Sequence, residues 1–234
     1  MLNDLQKDVL IGSMLGDGHL ELKGRSKNAR LVINRSRKDE NYLLWQRDIF
    51  SYCCSEKAVS YYKSYNKYTD KTYLGINLKT GANIDFTPYH QDWYLPIDWD
   101  KNVKIVTLDL VLNPMIMLIW FLDDGSVVRN DHEKLILKFA TDGFRRYDTL
   151  FLKDLLEKRY GGTFKLYKNS VYDDDNFGYR LYGYNKPAEA FVEEMNSIIL
   201  PCMSRKYTWL EPYEKKIHTY DIKRVLFYQK QWAN

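Results

Sequence analysis

Two apolar stretches of this chain end alike. Leu10-Ile11-Gly12-Ser13-Met14-Leu15 runs into Gly16-Asp17-Gly18, and Met117-Leu118-Ile119-Trp120-Phe121-Leu122 runs into Asp123-Asp124-Gly125. Because the same succession of patterns follows each, the chain reads as one unit built twice, which restricts its fold far more than composition does. In the first half, Leu5, Val9, Ile11, Met14 and Leu15 space a helix that starts at Asp4 and stops at the glycines. Strands are expected at His19 to Lys23 and Arg30 to Asn34, a helix at Asp39 to Tyr52, strands at Val59 to Tyr65 and Thr72 to Lys79, and a helix near Asn83 to Trp93. In the second half Pro114 opens a helix over Met115 to Leu122. Strands follow at Val127-Val128 and Leu135 to Phe139, a helix at Arg145 to Tyr160, strands at Thr163 to Lys168 and Tyr179 to Tyr182, and a helix at Pro187 to Ile199. Both halves thus read α-β-β-α-β-β-α, and they are expected to span residues 1–103 and 104–234.

Strand pairs between helices cannot bury both faces, so each sheet should cover helices on one side and leave the other open. In Thr72 to Lys79 the alternation puts Leu74, Ile76 and Leu78 inside and Tyr73, Asn77 and Lys79 outside; in the second half Leu135, Leu137 and Phe139 point in and Lys134 and Lys138 out. The open faces are therefore expected to be basic and aromatic, and many of the 20 tyrosines interleave with lysines, as in Tyr61-Tyr62-Lys63-Ser64-Tyr65. Tyrosine suits both strands and wet interfaces.

Composition narrows the setting. Thirty-five Lys and Arg against 31 Asp and Glu leave a net charge of +4, which attracts a polyanion and equally serves plain solubility. The three cysteines, adjacent Cys53 and Cys54 and distant Cys202, match neither a zinc site nor a disulfide framework, so a reducing compartment is expected. The N-terminus is polar and is no signal peptide, and no run reaches a membrane span. An intracellular protein of the cytoplasm or an organelle matrix is the natural expectation.

The two nonamers that close on Asp17-Gly18 and Asp124-Gly125 resemble the signature of the LAGLIDADG endonucleases, and the resemblance extends over the repeat. It implies an α+β fold in which two pseudo-symmetric αββαββα halves form a DNA-binding saddle with the two motif helices at its interface. It also implies a monomer that makes a double-strand break in a long, asymmetric double-stranded DNA target. A glycine that merely caps a helix would account for one such match. Two are harder to dismiss, because an acid at a helix C-terminus is opposed by the helix dipole. Two such carboxylates held side by side would call for a cation between them. Carboxylates and free carbonyls are hard donors suited to Mg²⁺ or Mn²⁺, so Asp17 and Asp124, with the carbonyls of Gly16 and Asp123, are the expected metal ligands.

In the resembled family a lysine late in each half lies near the active site. Lys101 and Lys206 fill those places, at 84 (101 − 17) and 82 (206 − 124) residues from the two aspartates, with Lys104 an open alternative to Lys101. Asp17, Asp124, Lys101 and Lys206 are thus the expected catalytic residues, with metal-assisted phosphodiester hydrolysis as the reaction. The sheets would read DNA in the major groove. Strand alternation nominates Glu21, Lys23, Arg25, Arg30, Asn34, Tyr61, Lys63, Tyr65, Tyr73, Asn77 and Lys79 in the first half, and Arg129, Lys134, Lys138, Lys165, Tyr167, Arg180 and Tyr182 in the second. The competing readings are a maturase that binds its host intron RNA and a non-cleaving DNA-binding protein on the same scaffold.

Overall fold

The computed structural model describes residues 1–24, 26–98, 101–172 and 174–213. They form two compact units that divide between Asp92 and Trp93.

In the first unit, α1 (Asp4–Leu15) is followed by β1 (Gly18–Glu21) and β2 (Arg30–Ser36). Then come α2 (Glu40–Ile49), β3 (Val59–Asn66), β4 (Lys71–Lys79) and α3 (Thr87–Trp93). The start of α1 is fixed locally: Asn3 Oδ1 accepts from the Gln6 amide at 2.8 Å and Gln6 Oε1 accepts from the Asn3 amide at 3.0 Å. This reciprocal capping satisfies donors that the first turn of a helix cannot. The four strands form an antiparallel sheet in the order β1-β2-β4-β3. Leu31, Ile33, Ile76 and Leu78 from its helix side are buried with Leu10, Met14, Tyr42, Leu43 and Phe50.

The second unit opens with a hairpin, β5 (Tyr94–Asp98) and β6 (Lys101–Lys104), which the sequence pattern did not disclose. The repeat then begins again with α4 (Pro114–Asp124), β7 (Gly125–Arg129), β8 (Leu135–Ala140), α5 (Arg146–Tyr160), β9 (Phe164–Lys168), β10 (Tyr179–Tyr184) and α6 (Lys186–Met195). Asn113 caps α4 through its side chain, with Pro114 in the first turn, where a missing amide costs nothing. The sheet order, β7-β8-β10-β9, copies that of the first unit. Every residue of α4 from Ile116 to Asp123 is buried, as an all-apolar helix surface requires. Trp120 stacks on Phe139 at 4.1 Å between ring centroids, and Phe121 packs on Phe191 at 4.9 Å. Among the described residues, no helix is long and apolar enough to cross a membrane.

Register corrects the expected alternation in two places. Residues directly opposite in an antiparallel pair share a face. Tyr61, Lys63 and Tyr65 lie opposite Ile76, Leu74 and Thr72, which places them on the helix side of the first sheet, not on its open side. Accordingly, the Tyr61 hydroxyl donates to Glu40 Oε1 of α2 at 2.6 Å, and the Arg37 guanidinium lies 5.0 Å from the Tyr61 ring centroid. Arg129 likewise lies opposite Leu135, on the helix side of the second sheet. Leu74, expected in the core, is 45% exposed, because burial along β4 begins only at Gly75; the outer half of the β3–β4 ribbon outruns the helices.

Candidate nucleic-acid interface and catalytic residues

Each motif helix ends where the chain doubles straight back into a strand, and this reversal explains the glycines. Neither Gly18 nor Gly125 is left-handed; Gly125 has φ −93° and ψ 160°. What excludes a side chain is proximity. A Cβ on Gly18 would lie 2.8 Å from both Cβ and O of Ser13, and one on Gly125 would lie 2.3 Å from Phe121 Cδ2 and 2.7 Å from Phe121 Cα. A capping glycine in the left-handed conformation is therefore not the reason for either Asp-Gly pair. Each aspartate is held at the turn by the strand pressed against the last turn of its helix.

Asp17 is partly exposed, with its side chain at 36% accessibility, whereas its partner Arg35 is almost fully enclosed at 2%. Arg35 Nη1 donates to Asp17 Oδ2 at 2.9 Å, and its Nε donates to Gln46 Oε1 at 3.2 Å. Gln46 Nε2 in turn donates to Ser13 Oγ of α1 at 3.1 Å, and the guanidinium packs 4.3 Å from the Tyr42 ring centroid. The strands, the motif helix and α2 thus converge on one carboxylate. Arg35 was not among the residues nominated from the sequence. It was detectable there, because it occupies the core-side position of β2 after Leu31 and Ile33, where a charge demands a partner.

In the second unit Lys206 lies against the end of the motif helix. It reaches the C-terminal end of α4 and donates to the carbonyls of Gly125 (2.9 Å), Asp123 (3.3 Å) and Phe121 (3.5 Å). A lysine on the last carbonyls of a helix offsets the negative end of its dipole. Arg35 and Lys206 thus give each motif helix a cation of the protein's own. Relief of negative charge at these ends therefore does not by itself require a metal, as the sequence argument had it. The donor set still fits a hard divalent cation, since Asp17 and Asp124 offer carboxylates and Gly16 and Asp123 main-chain carbonyls at the same turns. Lys206 already engages the Asp123 carbonyl, the oxygen that a cation at this turn would use. Among the described residues, no cluster of three or more His, Cys, Asp or Glu is placed to hold a metal. The Lys101 side chain lies outside the described residues; Lys104 Nζ sits 5.4 Å from the Phe144 ring centroid.

The open face of the first sheet carries His19 and Glu21 of β1, Arg30, Val32 and Asn34 of β2, Tyr73, Asn77 and Lys79 of β4, and Ser60, Tyr62 and Ser64 of β3. Arg30 Nη2 pairs with Glu21 Oε2 at 2.7 Å, and Lys23 Nζ lies 3.6 Å from the same oxygen. Partial burial pushes the Glu21 carboxyl up, but the hydrogen bond and charge of Arg30 outweigh it and hold the group below its ordinary value. Asn77, expected outside, is on this face yet only 5% exposed, because its amide donates to Asn34 Oδ1. Its Oδ1 has no hydrogen-bond partner among the described residues. Arg25 lies outside the described residues.

On the second sheet, Lys138, Lys165, Tyr167, Arg180 and Tyr182 share the open face, joined by Ser126, Val128 and Tyr184. Lysines and phenols interleave there. Lys138 Nζ lies 4.9 Å from the Tyr182 ring centroid, Lys165 Nζ lies 5.5 Å from that of Tyr184, and the Tyr167 and Tyr184 hydroxyls share a 2.8 Å hydrogen bond. Burial and the Tyr167 hydroxyl push the Tyr184 phenol up to about 12, so it remains a donor near neutrality. Arg180 Nε is held by Asp142 Oδ2 at 2.7 Å, and Lys134 is exposed in the turn before β8. Tyr62 and Tyr184, which strand alternation did not nominate, also lie on open faces.

Comparison with known proteins agrees with this arrangement. The chain matches the LAGLIDADG DNA endonuclease family over residues 7–191. It is 26% identical over 204 residues to the cytochrome b mRNA maturase bI2 of Saccharomyces cerevisiae, covering 85% of this chain and 46% of that protein, so it spans about half the length of that relative. It is 24% identical over 214 residues to the DNA endonuclease I-ChuI of Chlamydomonas applanata, covering 88% of this chain and 95% of that protein. Its fold resembles that of the homing endonuclease I-WcaI, solved bound to its DNA recognition sequence, with a TM-score of 0.73, 22% identity and coverage of 88% and 87% of the two chains. With both acidic turns, both four-stranded sheets and the matched span in agreement, the chain belongs to the LAGLIDADG DNA endonuclease family.

Proposed function

We propose that this protein is a site-specific homing endonuclease that binds a long, asymmetric double-stranded DNA through the open faces of its two sheets and hydrolyses one phosphodiester in each strand. The observation that carries the reading is the pair of Asp-Gly turns, each placing an aspartate at the junction of a motif helix and the first strand of an open basic-aromatic sheet. A divalent cation, Mg²⁺ or Mn²⁺, bound at these turns would supply Lewis-acid stabilisation of the phosphate and an activated water. Asp17 with the Gly16 carbonyl would hold one such ion, and Asp124 with the Asp123 carbonyl another. Lys206, anchored on the α4 carbonyls, keeps a positive charge beside Asp124, where it can stabilise negative charge developing on phosphate. Lys101 is the expected counterpart in the first half. On the open faces, Asn34, Arg30, Lys79, Lys138, Lys165 and Arg180 offer the donors and acceptors that discriminate base edges in a major groove, and Tyr73, Tyr167 and Tyr182 add hydroxyls and apolar surface. Because the two faces differ in sequence, the target should lack two-fold symmetry.

The test is cleavage of DNA by the purified full chain with Mg²⁺, using a target selected from a randomised library. Asp17→Asn and Asp124→Asn should each abolish double-strand cleavage while leaving binding of the selected DNA within about threefold, since neither acid reads a base. Undiminished cleavage by either variant would sink the proposal. The relation to a maturase supports a second reading, in which the chain binds and assists the folding of an intron RNA. Stimulated splicing of a candidate host intron, with no DNA cut, would favour it.

A further inference from the structure

The role of Arg35 is not explained by packing alone. A buried guanidinium is costly unless paired, and this one donates to Asp17 at 2.9 Å and to Gln46 at 3.2 Å and lies 4.3 Å from the Tyr42 ring centroid. Gln46 is itself tied to Ser13 of α1, so the guanidinium is held by α2 and, through it, by the helix that ends beside Asp17. The second unit provides a comparison. Gly18 lies opposite Ile33 and Gly125 opposite Phe139, so two residues further along, Arg35 corresponds to Thr141. Thr141 is uncharged, and its hydroxyl is spent on the Tyr179 carbonyl at 2.6 Å. The duplicated fold therefore tolerates a neutral residue at this position, and the arginine is particular to the Asp17 half.

We infer that Arg35 is a built-in counter-ion of Asp17, a positioning residue that holds the carboxylate in place and competes with a divalent cation for it. The inference rests on the reading of Asp17 as a metal ligand. For Asp17 to ligate a cation, its carboxylate must either carry two cations at once or release Arg35, whose buried charge would then lose its anion. Both routes weaken cation binding at this carboxylate, and both act only through Asp17. A purely structural arginine would have the opposite signature, since its removal would loosen the turn and leave metal binding unchanged or poorer.

The experiment is titration of Mn²⁺ into the full chain, with free Mn²⁺ read by electron paramagnetic resonance and folding followed in parallel by thermal melting. Arg35→Gln, which keeps an amide beside Gln46 but removes the charge, should tighten the Mn²⁺ held through Asp17 by about three- to tenfold. Arg35→Lys, which retains the charge, should stay within about twofold of the parent. The double variant Arg35→Gln with Asp17→Asn should match Asp17→Asn alone. Should Arg35→Gln lose its cooperative melt, Gln46→Glu is the second probe: it gives Arg35 another carboxylate, relaxes its claim on Asp17 and should also tighten Mn²⁺. Unchanged or weaker Mn²⁺ binding in the folded charge-removing variant, or equal tightening by Arg35→Lys, overturns the inference. If Asp17→Asn alone leaves Mn²⁺ binding untouched, the metal reading of Asp17 fails as well, so the two failures are distinct.

Discussion

Gly125 shows how much a single hydrogen can decide. Its backbone angles are open to any residue, yet a methyl group there would be driven into the backbone of Phe121, which is itself locked by Phe191 and Trp209. A clash with the main chain of a buried helix cannot be relieved by a rotamer change. Gly125→Ala is therefore expected to destabilise the protein by about 1–3 kcal/mol, as overpacking does. Chemical denaturation would show this as a lower midpoint at unchanged slope; an unshifted midpoint would mean that the turn can relax. At the same scale, Arg35 was legible as an anomaly, a charge in the core-side position of a strand. Its partner was not legible, because the approach of β2 to the end of α1 is made by sheet pairing and not by any spacing in the sequence.

At the scale of elements, β2 and β8 were read in the right phase, and β3 and the Arg129 end of β7 were not. Leu31 and Ile33 in β2 and Leu137 and Phe139 in β8 are fully buried, whereas Asn34 beside Ile33 is exposed and Lys138 between Leu137 and Phe139 stays partly accessible, so one face is specified by burial. Residues 60–65 of β3 are all exposed, and both sides offer tyrosine beside polar residues, so nothing in its own composition says which side faces the helices. Its pairing to β4 decides, and it seats the Tyr62 ring over Gly75, where a Cβ would lie 2.1 Å from Tyr62 Cζ. The consequence is measurable. Tyr62→Ala, on the open face, should weaken binding of the selected DNA by about 1 kcal/mol or more, roughly fivefold. Lys63→Ala, on the helix side, should change it less than about twofold at moderate salt. A larger loss at Lys63 than at Tyr62 in a binding titration would contradict the observed register. The β5–β6 hairpin escaped notice for a related reason: Pro96 sits inside it, and proline ordinarily argues against a strand except at an edge.

For the molecule as a whole, duplication is the governing fact. The two units repeat one sheet order, although the division after Asp92 assigns the hairpin and its lysines to the second unit, whereas residues 1–103 and 104–234 had been expected. Net charge is only +4, so attraction to DNA must come from how lysine and arginine are distributed over the open faces. Affinity for the selected target should therefore fall log-linearly with salt concentration, with a slope that reports several phosphate contacts. Lys138→Ala and Lys165→Ala should each reduce that slope by up to about one unit if they meet phosphate. A salt-independent affinity would argue against an interface built on these faces.

The sequence by itself determined the repeat, the position of every helix in it and the two Asp-Gly turns, because apolar periodicity and a duplicated order are properties of the chain read in one dimension. Only the tertiary structure decided which side of β3 meets solvent, why glycine follows each aspartate and that Arg35 holds Asp17. Each of these depends on a distance between segments far apart in the chain. Where burial does not mark one face of a strand, or a steric limit is set by a neighbour across a turn, no local pattern carries the information, and the packed fold supplies it.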